Sequence, residues 1–182
     1  MPKSRRIFSL SAAYIEWIHD TLLRVSWTGT NVATPESYKD RNLLESAVAR
    51  PFQTAFGKEI HRGVVEKGAA LFHSLISNHP FGDGNKRTAV LSLQHFLLAN
   101  GFLLIASQDL VYKLALETAS AGERRISQDA ILFRIARALE DTTIQVSELQ
   151  EVGSFEKLIT YAIKARRNIR QHPLNRLLLV RS

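Results

Sequence analysis

Apolar residues recur at helical spacing along most of this chain, and each stripe predicts an amphipathic helix that buries one face. The first stripe consists of Ile15, Ile18, Leu22 and Val25. His19 lies beside it, and we expect a hydrogen-bonded structural histidine there rather than a ligand. The predicted helices cover residues 11–25, 42–49, 63–77 and 84–100, and two more begin at Ser107 and Ser127. Since no stretch alternates convincingly between apolar and polar residues, the sequence predicts an all-α fold, with room for one small β-hairpin.

Helix-starting and helix-stopping residues fall at the ends of these stripes. Ser107 and Ser127 each offer a capping hydroxyl, and an aspartate follows two positions later in the first turn. Pro51 stops the second predicted helix, and Gly101 is a natural stop for the fourth. Gly68, inside the third helix, costs about 1 kcal/mol relative to alanine. We therefore expect close helix packing at Gly68.

One polar loop separates the third and fourth helices, which are both strongly apolar. Residues 78–88 read Asn-His-Pro-Phe-Gly-Asp-Gly-Asn-Lys-Arg-Thr. The fourth helix is expected to begin near residue 84, so its free N–H groups and the positive end of its dipole would face the loop. Such a helix end binds anions, and two cations in its first turn strengthen it. The candidate site residues are His79, Asp83, Gly84, Asn85, Lys86 and Arg87.

Short pieces of this loop are common in proteins, and each alone is typical of a solvated turn. All of them at fixed offsets between two apolar helices indicate a functional site. Residues 79–87 resemble the signature loop of the Fic/Doc proteins, in particular of the death-on-curing (Doc) branch. Residues 43–51 and 96–101 resemble the same branch, so the resemblance spans roughly residues 15–141. It implies a Fic/Doc-like helical bundle with the active-site loop between two core helices, and a flap over residues 51–62.

The resemblance also implies a role for each polar residue of the loop. His79 would accept the proton of an attacking hydroxyl. Asp83 would bind a magnesium ion that bridges nucleotide phosphates. The two cations would neutralise charge that moves during transfer, and the glycine lets the backbone approach the phosphate. The implied cofactors are ATP and Mg²⁺. The implied catalytic set is His79, Lys86 and Arg87, and the implied nucleotide-binding set is Gly84, Asn85, Lys86 and Arg87.

Lys86 distinguishes the two chemistries of this superfamily. AMP-transferring Fic enzymes typically have a glycine where this chain has Lys86. A glycine leaves room for the terminal phosphates of ATP, whereas a lysine fills part of that room. Doc, which has the lysine, binds the nucleotide reversed and transfers its γ-phosphate to a hydroxyl of elongation factor Tu. The resemblance therefore implies a kinase that modifies a protein hydroxyl, with AMP transfer (AMPylation by a nucleotidyltransferase) as the second choice.

The same resemblance implies partners. The protein would be a growth-inhibiting toxin of a type II toxin–antitoxin system, with a protein substrate such as elongation factor Tu and a Phd-like antitoxin. Some Fic proteins instead carry an inhibitory helix with the pattern Ser/Thr-x-x-x-Glu-Gly/Asn. Ser147 and Glu151 have this spacing, but Val152 stands where Gly or Asn is expected, so we expect inhibition by a separate antitoxin. The alternative from another class is a non-catalytic adaptor that binds through a basic tail; the intact loop favours the enzyme.

Charge is distributed unevenly along the chain. Residues 153–182 hold seven Lys or Arg and one Asp or Glu, while the rest of the chain holds 17 and 16. We therefore divide the chain into two parts. Residues 1–141 form a Fic/Doc-like helical domain. Residues 142–182 form a polar connection (142–153) followed by a basic C-terminal helix. That helix is either simply solvated or binds an anionic partner. The chain has no cysteine and no apolar run near the ~20 residues that a membrane helix requires. We expect a cytoplasmic protein without membrane contact.

Overall fold

The computed structural model describes residues 6–25 and 40–148, together with positions 160, 163, 164, 167, 170 and 171. The helices of this part are α1 (Ala12–Val25), α2 (Arg41–Ala49), α3 (Gly63–Ser77), α4 (Asn85–Ala99), α5 (Gln108–Ser120) and α6 (Gln128–Glu140). The strands are β1 (Thr54–Ala55), β2 (Lys58–Glu59), β3 (Phe102–Leu104) and β4 (Thr143–Gln145). The predicted all-α class is confirmed, and the first four helices agree with their predicted ranges to within one residue at each end.

Helices α3 and α4 form the centre of the fold. Every residue of α3 from Lys67 to Ile76 is buried. A Cβ atom added to Gly68 would lie 3.1 Å from Leu93 Cδ1 and 3.5 Å from Leu97 Cδ2, so the predicted close packing at this glycine is confirmed. Because the beginning of α3 meets the second half of α4, the two helices are antiparallel. The loop that joins them therefore lies at one end of the central pair.

The other helices cover this pair on several sides. Helix α1 packs against α4. Helices α2 and α6 pack against α3, and α5 packs against both α3 and α4. The hydroxyls of Ser107 and Ser127 accept hydrogen bonds from the backbone N–H groups of Leu110 and Ala130, both at 3.3 Å. These contacts confirm the two predicted helix caps. No helix in this part of the chain is both long and apolar enough to cross a membrane.

A small hairpin follows α2 and a 3₁₀ turn (Arg50–Phe52). Its strands β1 and β2 pair in antiparallel fashion, which confirms the predicted flap hairpin. The buried Lys67 holds it to α3, since its Nζ donates to the Pro51 carbonyl at 3.1 Å and to Glu59 Oε1 at 3.0 Å. Phe56, the aromatic residue at the hairpin turn, is fully exposed. The anchor of the flap is therefore a buried lysine.

A second antiparallel pair, which the sequence did not predict, joins β3 to β4. Leu103 lies opposite Ile144 in this pair. The next residue, Val146, is buried and its N–H donates to the Gly101 carbonyl at 2.9 Å. The expected polar connection over residues 142–153 is therefore wrong for residues 143–146, because strands of three residues are too short to show a period. The division of the chain after residue 141 stays a prediction.

The C-terminal tail contacts the helical domain through Arg170. Its Nε donates to the Ala99 carbonyl at 2.8 Å, and its guanidinium lies 5.6 Å from the centroid of the Phe8 ring. A cation is favoured at this position because the carbonyl groups at the end of α4 carry the negative end of the helix dipole. Arg170, a residue of the predicted basic helix, thus binds the domain. Most of the predicted tail helix, and the loop expected over residues 27–38, lie outside the described residues.

Candidate active site

Two left-handed backbone positions shape the loop between α3 and α4. His79 has φ 52° just after Asn78, the C-terminal cap of α3, and Gly84 has φ 79° just before α4. A left-handed backbone costs a non-glycine residue about 1–2 kcal/mol, so a glycine suits position 84 and a histidine does not suit position 79. Residues with a strained backbone cluster at active sites, where the strain is retained for function. The loop therefore points to His79 as a functional residue.

The Asn85 side chain holds the loop together from within. Its Oδ1 accepts from the Phe81 N–H at 3.0 Å, and its Nδ2 donates to the Phe81 carbonyl at 2.7 Å. The same nitrogen lies 3.2 and 3.4 Å from the two ring nitrogens of His79, so it keeps the ring in place without selecting one of them. Asn85 is 5% exposed. Its amide thus positions the imidazole, while the predicted contact with a nucleotide stays a prediction.

Asp83 and Arg87 form the charged rim of the loop. Asp83 Oδ1 accepts from the Gly84 N–H at 2.6 Å, and its Oδ2 lies 3.3 Å from Arg87 Nη2. The two side chains are 72% and 48% exposed, so both can exchange this contact for one with a ligand. Gly84 caps α4 without a side chain. The N–H groups of the first turn therefore remain open to an anion.

The predicted site residues meet in one cleft of about 560 Å³. His79, Asp83 and Arg87 line its charged end, together with the start of α4. The rest of its lining is mainly apolar and includes Tyr112, which is 59% exposed. The apolar wall comes from α1, α4 and α5 and consists of Leu22, Val90, Leu91, Val111 and Ala115. The cleft thus combines an anion-binding end with a surface suited to a flat apolar group.

A second cleft has a volume of about 570 Å³. It shares His79, Asn85 and Lys86 with the first cleft. The second cleft is also lined by His73, which is buried and lies 3.3 Å from the Ser77 hydroxyl. Burial, together with the nearby charge of Arg50, lowers the pKa of His73 from 6.5 to about 4. His73 is therefore neutral near pH 7. The side chain of His79 lines both clefts and is accessible from each of them.

A further residue contacts the loop from α1. His19 Nε2 lies 3.0 Å from the Asp83 carbonyl oxygen, and its ring stacks on Phe81 with 3.9 Å between centroids and 8° between planes. The sequence placed His19 correctly as a hydrogen-bonded structural histidine but offered no signal for its partner. His19 and Asp83 are 64 positions apart, and the local spacing of residues carries no information about contacts over that distance.

A helix start beside a cleft, a carboxylate and cations at its rim and an imidazole on its wall form an arrangement suited to binding phosphate groups. The comparison with protein families agrees with this class. Residues 9–97 match the model of the Fic/DOC family. This match confirms the Fic/Doc resemblance seen in the loop.

One curated relative is similar to part of the chain. A stretch of 71 residues is 45% identical to Toxin Doc of Mycolicibacterium smegmatis. It covers 39% of this chain and 55% of that protein, so the chain spans little more than half of the relative's length. No solved structure gave a significant match. The similarity to the Doc branch is therefore supported by sequence alone.

Proposed function

We propose that this protein transfers the γ-phosphate of ATP to a hydroxyl group of another protein. The observation that carries this proposal is the loop at the start of α4, where His79, Asp83 and Arg87 line one cleft around a glycine-capped helix. Phosphoryl transfer needs positioning and charge stabilisation more than covalent chemistry. A helix start with two cations and one exposed imidazole supplies both.

The nucleotide would lie along the first cleft. Its phosphates would bind the N–H groups at the start of α4, with Lys86 and Arg87 beside them. Its base would lie against the apolar wall and the exposed ring of Tyr112, since aromatic rings stack readily on flat apolar groups. The second cleft would leave His79 open to the acceptor hydroxyl while the nucleotide occupies the first.

Asp83 is the residue suited to hold Mg²⁺ in this arrangement. Magnesium in phosphate-transfer sites is usually bound by one or two carboxylates and by the phosphates themselves. Among the described residues, no three His, Cys, Asp or Glu side chains cluster as a metal site. A single carboxylate that is 72% exposed fits an ion that arrives with the nucleotide. When bound, the ion would neutralise part of the phosphate charge.

The proposed step needs one proton acceptor and a stabilised leaving group. A ring nitrogen of His79 accepts the proton of the acceptor hydroxyl. The hydroxyl oxygen forms a bond to the γ-phosphorus while the bond from that phosphorus to the β–γ bridging oxygen breaks, and ADP leaves. Lys86 and Arg87 neutralise the charge that moves onto the phosphate oxygens. Asn85 keeps the imidazole of His79 in place through its 3.2 Å contact.

Lys86 supports transfer of the γ-phosphate over transfer of AMP. It lies in the first turn of α4 and lines both clefts, so its side chain takes up space next to the helix start. We propose that this leaves too little room for the β- and γ-phosphates beyond an α-phosphate held at His79. The nucleotide would then bind with its γ-phosphate nearest the imidazole.

The similarity to a Doc toxin supports a biological role of the same kind. We propose a growth-inhibiting toxin that modifies a component of translation such as elongation factor Tu and is neutralised by a Phd-like antitoxin. The cytoplasm is where such a target is found. An anionic partner of the basic tail remains a further proposal.

The experiment that tests the proposed function uses ATP labelled in parallel at the α and γ positions. The purified protein, Mg²⁺ and a bacterial lysate are incubated with each, and labelled proteins are detected. We expect label from the γ position only, and a loss of about 10²–10⁴-fold in His79→Ala, as for removal of a general base. Label from the α position would instead mean AMP transfer. Absence of label from both positions would refute the proposed enzymatic activity and favour a non-catalytic adaptor that binds through the basic tail.

A further inference from the structure

A residue of helix α1 contacts the active-site loop and restrains it. His19 lies on α1, is 3% exposed, and its Nε2 is 3.0 Å from the Asp83 carbonyl oxygen. A carbonyl oxygen can only accept, so Nε2 carries the proton and donates it. The other ring nitrogen, Nδ1, lies 3.4 Å from Asp20 Oδ1. The hydrogen bond from Nε2 to the loop carbonyl therefore fixes the orientation of the ring.

The face of the same ring contacts the loop at a second point. His19 and Phe81 stack with 3.9 Å between their centroids and nearly parallel planes. Phe81 is 1% exposed, and both of its backbone polar groups bind the Asn85 amide. That amide in turn touches the imidazole of His79. A chain of direct contacts thus leads from His19 through Phe81 and Asn85 to His79.

The third contact lies at the start of α4. A Cβ atom built on Gly84 would be 3.5 Å from both Nε2 and Cδ2 of His19, so the imidazole lies directly beside the helix cap. The Asp83–Gly84 peptide is therefore bound through its carbonyl oxygen and packed against the ring. Asp83, which carries the carboxylate, lies on one side of this peptide, and α4 begins directly on its other side at Asn85. A shift of about 1 Å at such a position can lower a rate by ~10²-fold.

We propose that His19 is a positioning residue that sets the geometry of the active-site loop. This inference rests on the proposed function for its effect on catalysis, but its effect on the loop is independent of it. An ordinary core histidine would contribute to stability and leave turnover of the folded protein unchanged. A positioning residue lowers kcat and loosens the loop in a protein that remains folded.

Two substitutions separate the contacts of His19, and one matched control tests their specificity. His19→Phe keeps a ring for stacking on Phe81 and loses the donor to Asp83. His19→Gln keeps an amide donor and loses the ring. His95→Phe is the control, because His95 is also a helix histidine with one side-chain hydrogen bond, 3.0 Å from the Tyr14 hydroxyl, away from the loop.

We expect His19→Phe to lower kcat for γ-phosphate transfer by about 10–100-fold, with KM for ATP within about threefold of wild type. The amide hydrogens of Phe81 and Thr88, which bind Asn85 Oδ1 and the Gly84 carbonyl, should exchange faster with solvent, while the melting temperature changes no more than in His95→Phe. His19→Gln should recover part of kcat. Wild-type kcat in His19→Phe, or an equal loss in His95→Phe, would overturn the proposal.

Failure of the proposed function gives a different result. If the wild-type protein transfers no label from ATP, the proposed phosphate transfer is refuted. The role of His19 is then decided by hydrogen exchange alone. Faster exchange at Phe81 and Thr88 in His19→Phe, but not in His95→Phe, supports the positioning role. Unchanged exchange at both amides overturns it.

Discussion

Replacement of His79 by glycine should stabilise the protein relative to replacement by alanine. The backbone of His79 is left-handed, with φ 52°, and this conformation costs an alanine about 1–2 kcal/mol but costs glycine almost nothing. Glycine loses more entropy on folding, which offsets about 0.5–1 kcal/mol. The difference should therefore be about 1 kcal/mol in favour of His79→Gly. For a protein of this size, that corresponds to a melting temperature higher by roughly 2–4 °C.

Thermal unfolding followed by circular dichroism measures this difference directly. The matched control is the pair Lys113→Gly and Lys113→Ala, because Lys113 is exposed in the interior of α5. There the order should reverse, with alanine more stable by about 1 kcal/mol. Both His79 variants should lose phosphate transfer equally, since neither has the imidazole. If His79→Ala is as stable as His79→Gly, the backbone at this position is not strained, and the argument that function retains a histidine there is wrong.

Two further predictions concern buried polar residues. Lys67→Met removes the donor to the Pro51 carbonyl and to Glu59. It should cost about 1–3 kcal/mol and speed trypsin cleavage after the flap residue Lys58; an unchanged cleavage rate would show that the flap is held by other contacts. Burial holds the pKa of His73 at about 4, below its usual 6.5. As the pH falls, His73 therefore takes up a proton in the unfolded chain before it does so in the folded protein. The free energy of unfolding should fall by up to about 3 kcal/mol between pH 6.5 and pH 4. His73→Gln should flatten that part of the stability–pH curve, and an equally steep curve in the variant would assign the loss to other groups.

The amino-acid sequence by itself determined the helical framework. Apolar stripes of helical period need only local information, and they set the bounds of α1 to α4 to within one residue. The caps Ser107 and Ser127 act on N–H groups three residues away, so their effect is also readable locally. The loop was identifiable for the same reason: its chemical groups lie within a few residues of one another, and the helix start that they surround is a local structure.

Only the tertiary structure decided how that loop is held and approached. The stacking of His19 on Phe81 joins residues 62 positions apart, and Lys67 reaches back 16 positions to Pro51. Neither contact leaves a pattern in the sequence, because a long side chain in a helix looks the same whether it is buried or solvated. The pairing of β3 with β4 was hidden for another reason, since three residues cannot show a period. Chain folding brings such pairs together, and it alone placed His79 in the lining of both clefts.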